Sequence, residues 1–151
     1  MDIITVDFEF IKDFWKTNLW PDRKSDIEGH SAMLLSGEYE LKNFNYPATY
    51  FIYIKDDKIA GCNSGHKCCD GTYRSRGLFV FPEYRKQGIG TSLLVATIKQ
   101  GEKEDSTLVW SYPRFESWGT YKSAGFELIS DWRTDETGVN AYCKIDIKKE
   151  C

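Results

Sequence analysis

Two basic side chains and two glycines stand together in Phe81-Pro82-Glu83-Tyr84-Arg85-Lys86-Gln87-Gly88-Ile89-Gly90-Thr91. The stretch reads as a strand end, a short loop and the opening of an amphipathic helix. Backbone N–H groups of such a loop and of the first helical turn have no internal acceptor. The partial positive charge at that end favours an anion. Gly88 and Gly90 remove Cβ atoms that would hold a phosphate away, and Arg85 and Lys86 add charge-assisted contacts. The chemistry implied is a diphosphate cradle. A P-loop is excluded, because no Gly-Lys-Ser/Thr follows four residues after a first glycine. The dinucleotide fingerprint is excluded too, since the Gly-x-x-Gly extension is missing. A plain turn before an ordinary helix shares the same residues.

Other reactive groups are sparse. Cys62, Cys68, Cys69, Cys143 and Cys151 are odd in number and irregular in spacing, which predicts reduced thiols. His66-Lys67-Cys68-Cys69 lacks a second ligand pair at zinc-finger spacing, so no metal site is expected.

The elements that must hold the cradle follow from periodicity. Asp2 to Val6 reads as a first strand, and Asp7 can cap a helix whose apolar face is Ile11, Phe14, Trp15 and Leu19. Pro21 ends it, and Asp22 to Gly37, with Ala32-Met33-Leu34-Leu35, predicts a second helix. Thr49–Lys55, Ile59–His66 and Tyr73–Phe81 form an antiparallel meander turned at Asp56-Asp57-Lys58 and Asp70-Gly71. Thr91 to Lys103 is helical, and Thr107 to Tyr112 is a short buried strand. Pro113 opens a helix with Phe115 and Trp118 on its inner face, and Gly125 stops it. Phe126–Ile129 and Val139–Ile147 are closing strands around the turn Thr134-Asp135-Glu136-Thr137-Gly138. The fold class is α/β: a mixed, mostly antiparallel twisted sheet flanked by helices, with one β-α-β unit.

Residues 1–151 read as a single domain, with 41% apolar and 28% charged residues, which argues against disorder. A net charge of −3 argues against a nucleic-acid partner. Met1-Asp2-Ile3-Ile4-Thr5 lacks a basic export start and no apolar run is long enough to span a bilayer, so the expectation is a cytoplasmic protein away from membranes. Oligomeric state, a homodimer included, is left open.

Arg85-x-x-Gly88-x-Gly90, preceded by Leu78-Phe79-Val80-x-Pro82-x-Tyr84, resembles the acyl-CoA-binding motif of the GNAT superfamily of N-acetyltransferases. Tyr121-Lys122-Ser123-Ala124-Gly125-Phe126 resembles that family's second hallmark, a helix ending in Tyr-x-x-x-Gly-Phe. The resemblance is strongest from Tyr73 to Ile129 and topological elsewhere, and it implies the acyl-CoA N-acyltransferase fold. It implies that backbone groups of Leu78, Phe79 and Val80 pair with the pantetheine arm, and that Arg85, Lys86, Gln87, Gly88, Ile89, Gly90 and Thr91 hold the diphosphate of acetyl-CoA. Tyr121 would be the general acid at the thioester sulfur; without the motif it reads as a core aromatic. The activity implied is direct acetyl transfer to a primary amine, on a small molecule or a protein.

Departures from the family pattern set the remaining expectations. Arg114 stands seven residues before the tyrosine, where relatives often have an Asn that contacts the CoA arm. Gly119 lies inside the tyrosine helix, explained equally by close passage of the cofactor or by tight packing. The strand before the cradle has no carboxylate for a general base, which leaves Glu28, His66, His30 or Glu83. Arg74 and Arg76 share a strand face and either bind an acidic group of the acceptor or form a solvated surface. Trp20, Trp110 and Tyr112 either line an acceptor site or belong to the core. A domain that binds acyl-CoA without turning it over is the alternative, favoured by the missing carboxylate and opposed by Tyr121.

Overall fold

Asp7 opens the first helix, α1 (Phe8–Asn18), by accepting the Phe10 N–H at 2.9 Å. Ile11 and Trp15 lie a turn apart, are fully buried, and pack with Tyr50, Ile52 and Cys62. The structure is a computed structural model that describes residues 2–135 and 138–147. The expected turn residues Glu136 and Thr137, and Cys151, lie outside the described residues.

β1 (Ile3–Val6), β2 (Ala48–Lys55), β3 (Lys58–Lys67) and β4 (Tyr73–Val80) pair antiparallel in succession. Asp56 and Asp57 turn β2 into β3 with φ of 51° and 63°, the left-handed pair whose twist suits a hairpin. Alternation divides β2 between two cores. Tyr50 and Ile52 face α1, while Phe51 packs with Ala60, Ile89 and Leu93 under α2 (Ile89–Lys103). α2 returns the chain to β5 (Leu108–Ser111), parallel to β4, which completes the expected β-α-β unit. α3 (Trp118–Ser123) follows, with Tyr121 buried in the third core among Tyr73, Leu94, Val109 and Phe126. Gly125, at φ 100°, ends α3: the Phe126 N–H reaches the Tyr121 carbonyl at 3.1 Å and the Gly125 N–H that of Lys122 at 3.0 Å. β6 (Glu127–Leu128) and β9 (Cys143–Asp146) finish a seven-stranded sheet in the order β1-β2-β3-β4-β5-β9-β6. The fold is therefore the mixed α/β sheet that the sequence predicts.

Three local expectations are corrected. Residues 22–37 form turns and an isolated Met33–Tyr39 bridge in place of a second helix. Side chains of the sheet and of Asn43 take this segment's backbone groups. Arg76 binds the Glu28 carbonyl at 2.7 Å, His66 accepts the Ser31 N–H at 3.2 Å, and Asn43 donates to the Ser31 carbonyl at 3.0 Å. Such bonds replace a helix's own ladder. The helix expected from Pro113 begins only at Trp118, behind a 3-10 turn over Phe115–Ser117. The Pro113 carbonyl is already engaged by the Ala141 N–H at 3.3 Å, and Phe115 is exposed, edge-on to Trp132 at 5.0 Å. Finally, Val139–Ile147 is two strands. β8 (Gly138–Asn140) pairs with β7 (Arg133–Asp135) in a separate hairpin, and β9 returns to the main sheet.

Candidate active site

β4 leaves β5 early. Their parallel pairing covers only Tyr73–Val109 and Arg74–Trp110, while β4 runs on to Val80. The cause is a bulge. Cys62 pairs with Phe79 and Ser64 with Arg76, so Gly77 and Leu78 together oppose Asn63. Gly77 adopts φ 82°, and a Cβ there would fall 2.4 Å from the Trp15 ring, whose N–H binds the Gly77 carbonyl at 3.0 Å. Among the described residues, no strand pairs with the β5-side edge of β4 beyond this fork.

A groove of about 870 Å³ fills the opening. Leu78, Phe79 and Val80 form one wall, Arg85, Lys86, Gly88, Ile89, Gly90 and Thr91 its end, and Arg114, Ser117, Gly119 and Thr120 the other wall. Gly88 caps α2 at φ 80° with no side-chain cap, and Lys86 is also left-handed at φ 62°. Ser92 N–H to Gly88 C=O, 3.0 Å, is the first bond of α2. Amides ahead of it therefore have no helical acceptor and present an anion seat. Arg85 folds back to donate to the Val80 carbonyl at 2.8 Å and lies over Phe79. Gln87 is absent from the groove wall: its side chain accepts from Lys55 and donates to the Glu83 carbonyl at 3.3 Å.

The two glycines on the walls have different reasons. A Cβ at Gly90 would sit 2.7 Å from Cγ2 of Thr120, so Gly90 lets α2 and α3 touch. A Cβ at Gly119 meets no neighbouring atom within 4 Å. Tight packing is thus excluded as the reason for Gly119, and clearance of the groove remains.

Tyr121 sits at the apex of the fork. Its hydroxyl is 3.0 Å from both Ser75 Oγ on β4 and Ser111 Oγ on β5, and Ser111 Oγ–H also reaches the Ser75 carbonyl at 2.8 Å. Asn63 donates to Ser75 Oγ and to Thr97 Oγ1, each at 2.9 Å, while Asn63 Oδ1 is buried without a partner. Burial pushes the Tyr121 phenol up to about 12, against a smaller downward pull from the two serines. At neutral pH it holds its proton. Ser75, Ser111, Asn63 and Thr97 were not singled out from sequence. Their type is unremarkable, and only the sheet register brings them to Tyr121.

The base candidates are scattered. His66 is fully buried, its Nε2 accepts the Ser31 N–H, and burial pushes its pKa down to about 3. His30 binds the Tyr46 carbonyl, with its ring 5.3 Å from that of His66. Glu28 is exposed on the segment held by Arg76, and Glu83 is exposed outside the cradle. Of the aromatic candidates, Trp110 is fully buried and donates to Thr72 Oγ1 at 3.0 Å, Trp20 packs tilted against Trp15 with ring centroids 5.2 Å apart, and the Tyr112 hydroxyl binds Asp135 at 2.7 Å.

The family model "Acetyltransferase (GNAT) domain" matches residues 47–128, more than half of the chain. Among curated proteins none matches. An aminoglycoside 6'-N-acetyltransferase complexed with coenzyme A is structurally similar, with a TM-score of 0.71, 15% identity, and coverage of 100% of this chain and 99% of that chain. A GNAT-family acetyltransferase from Staphylococcus aureus Mu50 follows at 0.69 and 14%, covering 97% and 99%. A Bacillus subtilis acetyltransferase in complex with CoA gives 0.65 and 13%, also covering 97% and 99%. At such identities the structures speak for the fold alone, whereas the family model spans the bulged β4, the cradle and the tyrosine helix. The chain belongs to the GNAT acetyltransferase family.

Proposed function

We propose that this protein transfers an acetyl group from acetyl-CoA to a primary amine by direct attack, with no enzyme-bound intermediate. One observation carries the reading: a single groove runs from the unpartnered amides at Gly88–Thr91 along the Leu78–Val80 edge of β4, and Thr120 on its opposite wall immediately precedes the buried Tyr121. The donor supplies an activated acyl group on a thiol leaving group. Lys86, Arg85 and the first-turn amides of α2 would seat its diphosphate, backbone groups of Leu78–Val80 would pair with the pantetheine arm as an added strand does, and Arg114 would flank the arm from the opposite wall. As the amine nitrogen bonds to the carbonyl carbon and the C–S bond breaks, Tyr121 donates its hydroxyl proton toward the sulfur. Ser75 and Ser111 hold the phenol oxygen throughout, and the proton shed by the amine restores the phenol. Glu28 is the proposed base: acting through water, it takes the first proton from the ammonium form of the acceptor, and the second proton, shed on attack, is the one that restores the phenol. His66 is poorly suited, because Ser31 occupies its lone pair and burial keeps its basicity low.

A thiol-release assay with acetyl-CoA and a panel of amines, amino acids, polyamines and peptides tests the proposal. Turnover with any amine supports it. Acyl-CoA binding without turnover across the panel would favour the sensing alternative, which the absence of a carboxylate on β4 supports.

A further inference from the structure

Arg74 and Arg76 are not on a solvated face. Both project from β4 on the side opposite Ser75 and Tyr121, at the last paired residue before the fork and two residues beyond it. The Arg74 guanidinium lies 4.8 Å from the Trp110 ring, and that of Arg76 lies 5.4 Å from Trp15 and 5.2 Å from Trp20. Arg76 is only 8% exposed. Each spends one N–H on a neutral oxygen of the overlying segment, Arg74 on Ser31 Oγ at 2.9 Å and Arg76 on the Glu28 carbonyl at 2.7 Å. Nε of Arg74 is buried and has no partner. Among the described residues neither guanidinium has a carboxylate within ion-pair distance; the ion pairs there join Lys144 to Glu127 and Asp146.

Two adjacent cations held in aromatic surroundings with neutral partners are costly, because a guanidinium cannot shed its charge. Burial first, and the neighbouring Arg74 second, lower the pKa of Arg76 to about 9. Docking the 28–31 segment needs only one donor from each. The unused donors form planar forks that match a carboxylate or a phosphate. Both guanidiniums lie beneath the 28–31 segment and Arg76 is nearly closed off from solvent, so the anion that reaches them must come on a small molecule.

We propose that the acceptor is a small amine carrying a carboxylate or phosphate, and that Arg74 and Arg76 bind that anion beside the fork. This rests on the acetyl-transfer reading of the groove. It also gives the missing carboxylate on β4 a reason: the strand is built to receive an acid rather than to supply one.

The test compares acceptors matched except for the anion: 4-aminobutyrate against propylamine, glycine against glycinamide, phosphoethanolamine against ethanolamine. In at least one pair the anionic member should exceed its partner at least tenfold in kcat/KM, and Arg74→Met should erase the preference while leaving acetyl-CoA affinity unchanged by calorimetry. Arg74→Lys, which keeps charge and stem but loses the fork, should give an intermediate loss if the Met variant fails to fold. Neutral or cationic members matching or beating their partners in every pair would overturn the inference. Should no acceptor turn over, NMR of the Arg74 and Arg76 Nε–H resonances decides, in CoA-saturated protein titrated with millimolar amounts of the same acceptors. Shifts with the anionic members alone support the site, and shifts with none overturn it. A failure of acetyl-CoA to bind would instead strike the transfer reading, and the same NMR titration of the unliganded protein would still judge the arginines.

Discussion

Gly119 separates the groove from the packing that surrounds it. It lies in the first turn of α3, where glycine is less favourable than alanine by up to about 1 kcal/mol. A methyl there meets no neighbouring atom within 4 Å, so nothing offsets that gain. Gly119→Ala should therefore stabilise the free protein by about 0.5–1 kcal/mol, a rise in Tm of about 1–4 °C for a domain of this size. Gly119→Leu should fold as well, leucine being a good helix former, but its side chain extends into the groove. Acetyl-CoA should then bind at least tenfold more weakly, about 1.4 kcal/mol. Thermal unfolding gives the first number and calorimetric titration the second. Loss of stability in Gly119→Ala, or wild-type affinity in a folded Gly119→Leu, would refute the claim that this glycine is kept for clearance.

Three further outcomes follow from the geometry. Tyr121→Phe should cost about 1 kcal/mol of stability, since the hydroxyl is bonded between two buried serines, and should lower kcat by roughly 10²–10⁴ in a chemistry-limited assay; retained kcat would remove Tyr121 from the reaction. Gly90→Ala should destabilise by about 1–3 kcal/mol through the 2.7 Å approach to Thr120, and adding Thr120→Ser, which deletes the Cγ2 concerned, should recover most of it in a denaturant melt. His66 has a folded pKa of about 3 against an ordinary 6.5, so the unfolded chain binds its proton more readily. Its contribution is complete above about pH 6.5 and is lost as pH falls toward 3, on the order of 5 kcal/mol at the limit. Urea titrations of His66→Gln should accordingly show a flatter loss of stability below pH 6.5.

The cradle and the tyrosine were legible because their signals are local. Gly88, Gly90 and the basic pair sit within six residues, and Tyr121 lies four residues before the glycine stop of its helix. The meander was legible because β2 is rich in aromatic and β-branched residues and turn signals at Asp56-Asp57-Lys58 and Asp70-Gly71 separate the three strands. Residues 22–37 were misread because Ala32-Met33-Leu34-Leu35 has helical composition, while partners far along the chain, Arg74, Arg76 and His66, claim the segment's polar groups. No local pattern reports such partners. Likewise the closing strand splits at Ala141 because the Ala141 N–H is taken by Pro113 and the Tyr142 N–H by Ser130, pairings that depend on the assembled sheet. The bulge at Gly77, which opens the fork, could not be seen in the strand's own residues; it exists only relative to β3.

The central claim is that the free edge of β4 and the N-terminus of α2 receive acetyl-CoA. Backbone amide NMR during an acetyl-CoA titration tests it most directly. Resonances of Gly88, Ile89, Gly90 and Thr91 should shift with those of Leu78 and Val80, to a common dissociation constant, while a pantetheine derivative lacking the diphosphate should move the β4 amides and leave the α2 amides in place. Acetyl-CoA that binds without moving the amides of Gly88–Thr91, or ATP and NAD shifting both sets as strongly, would contradict the account.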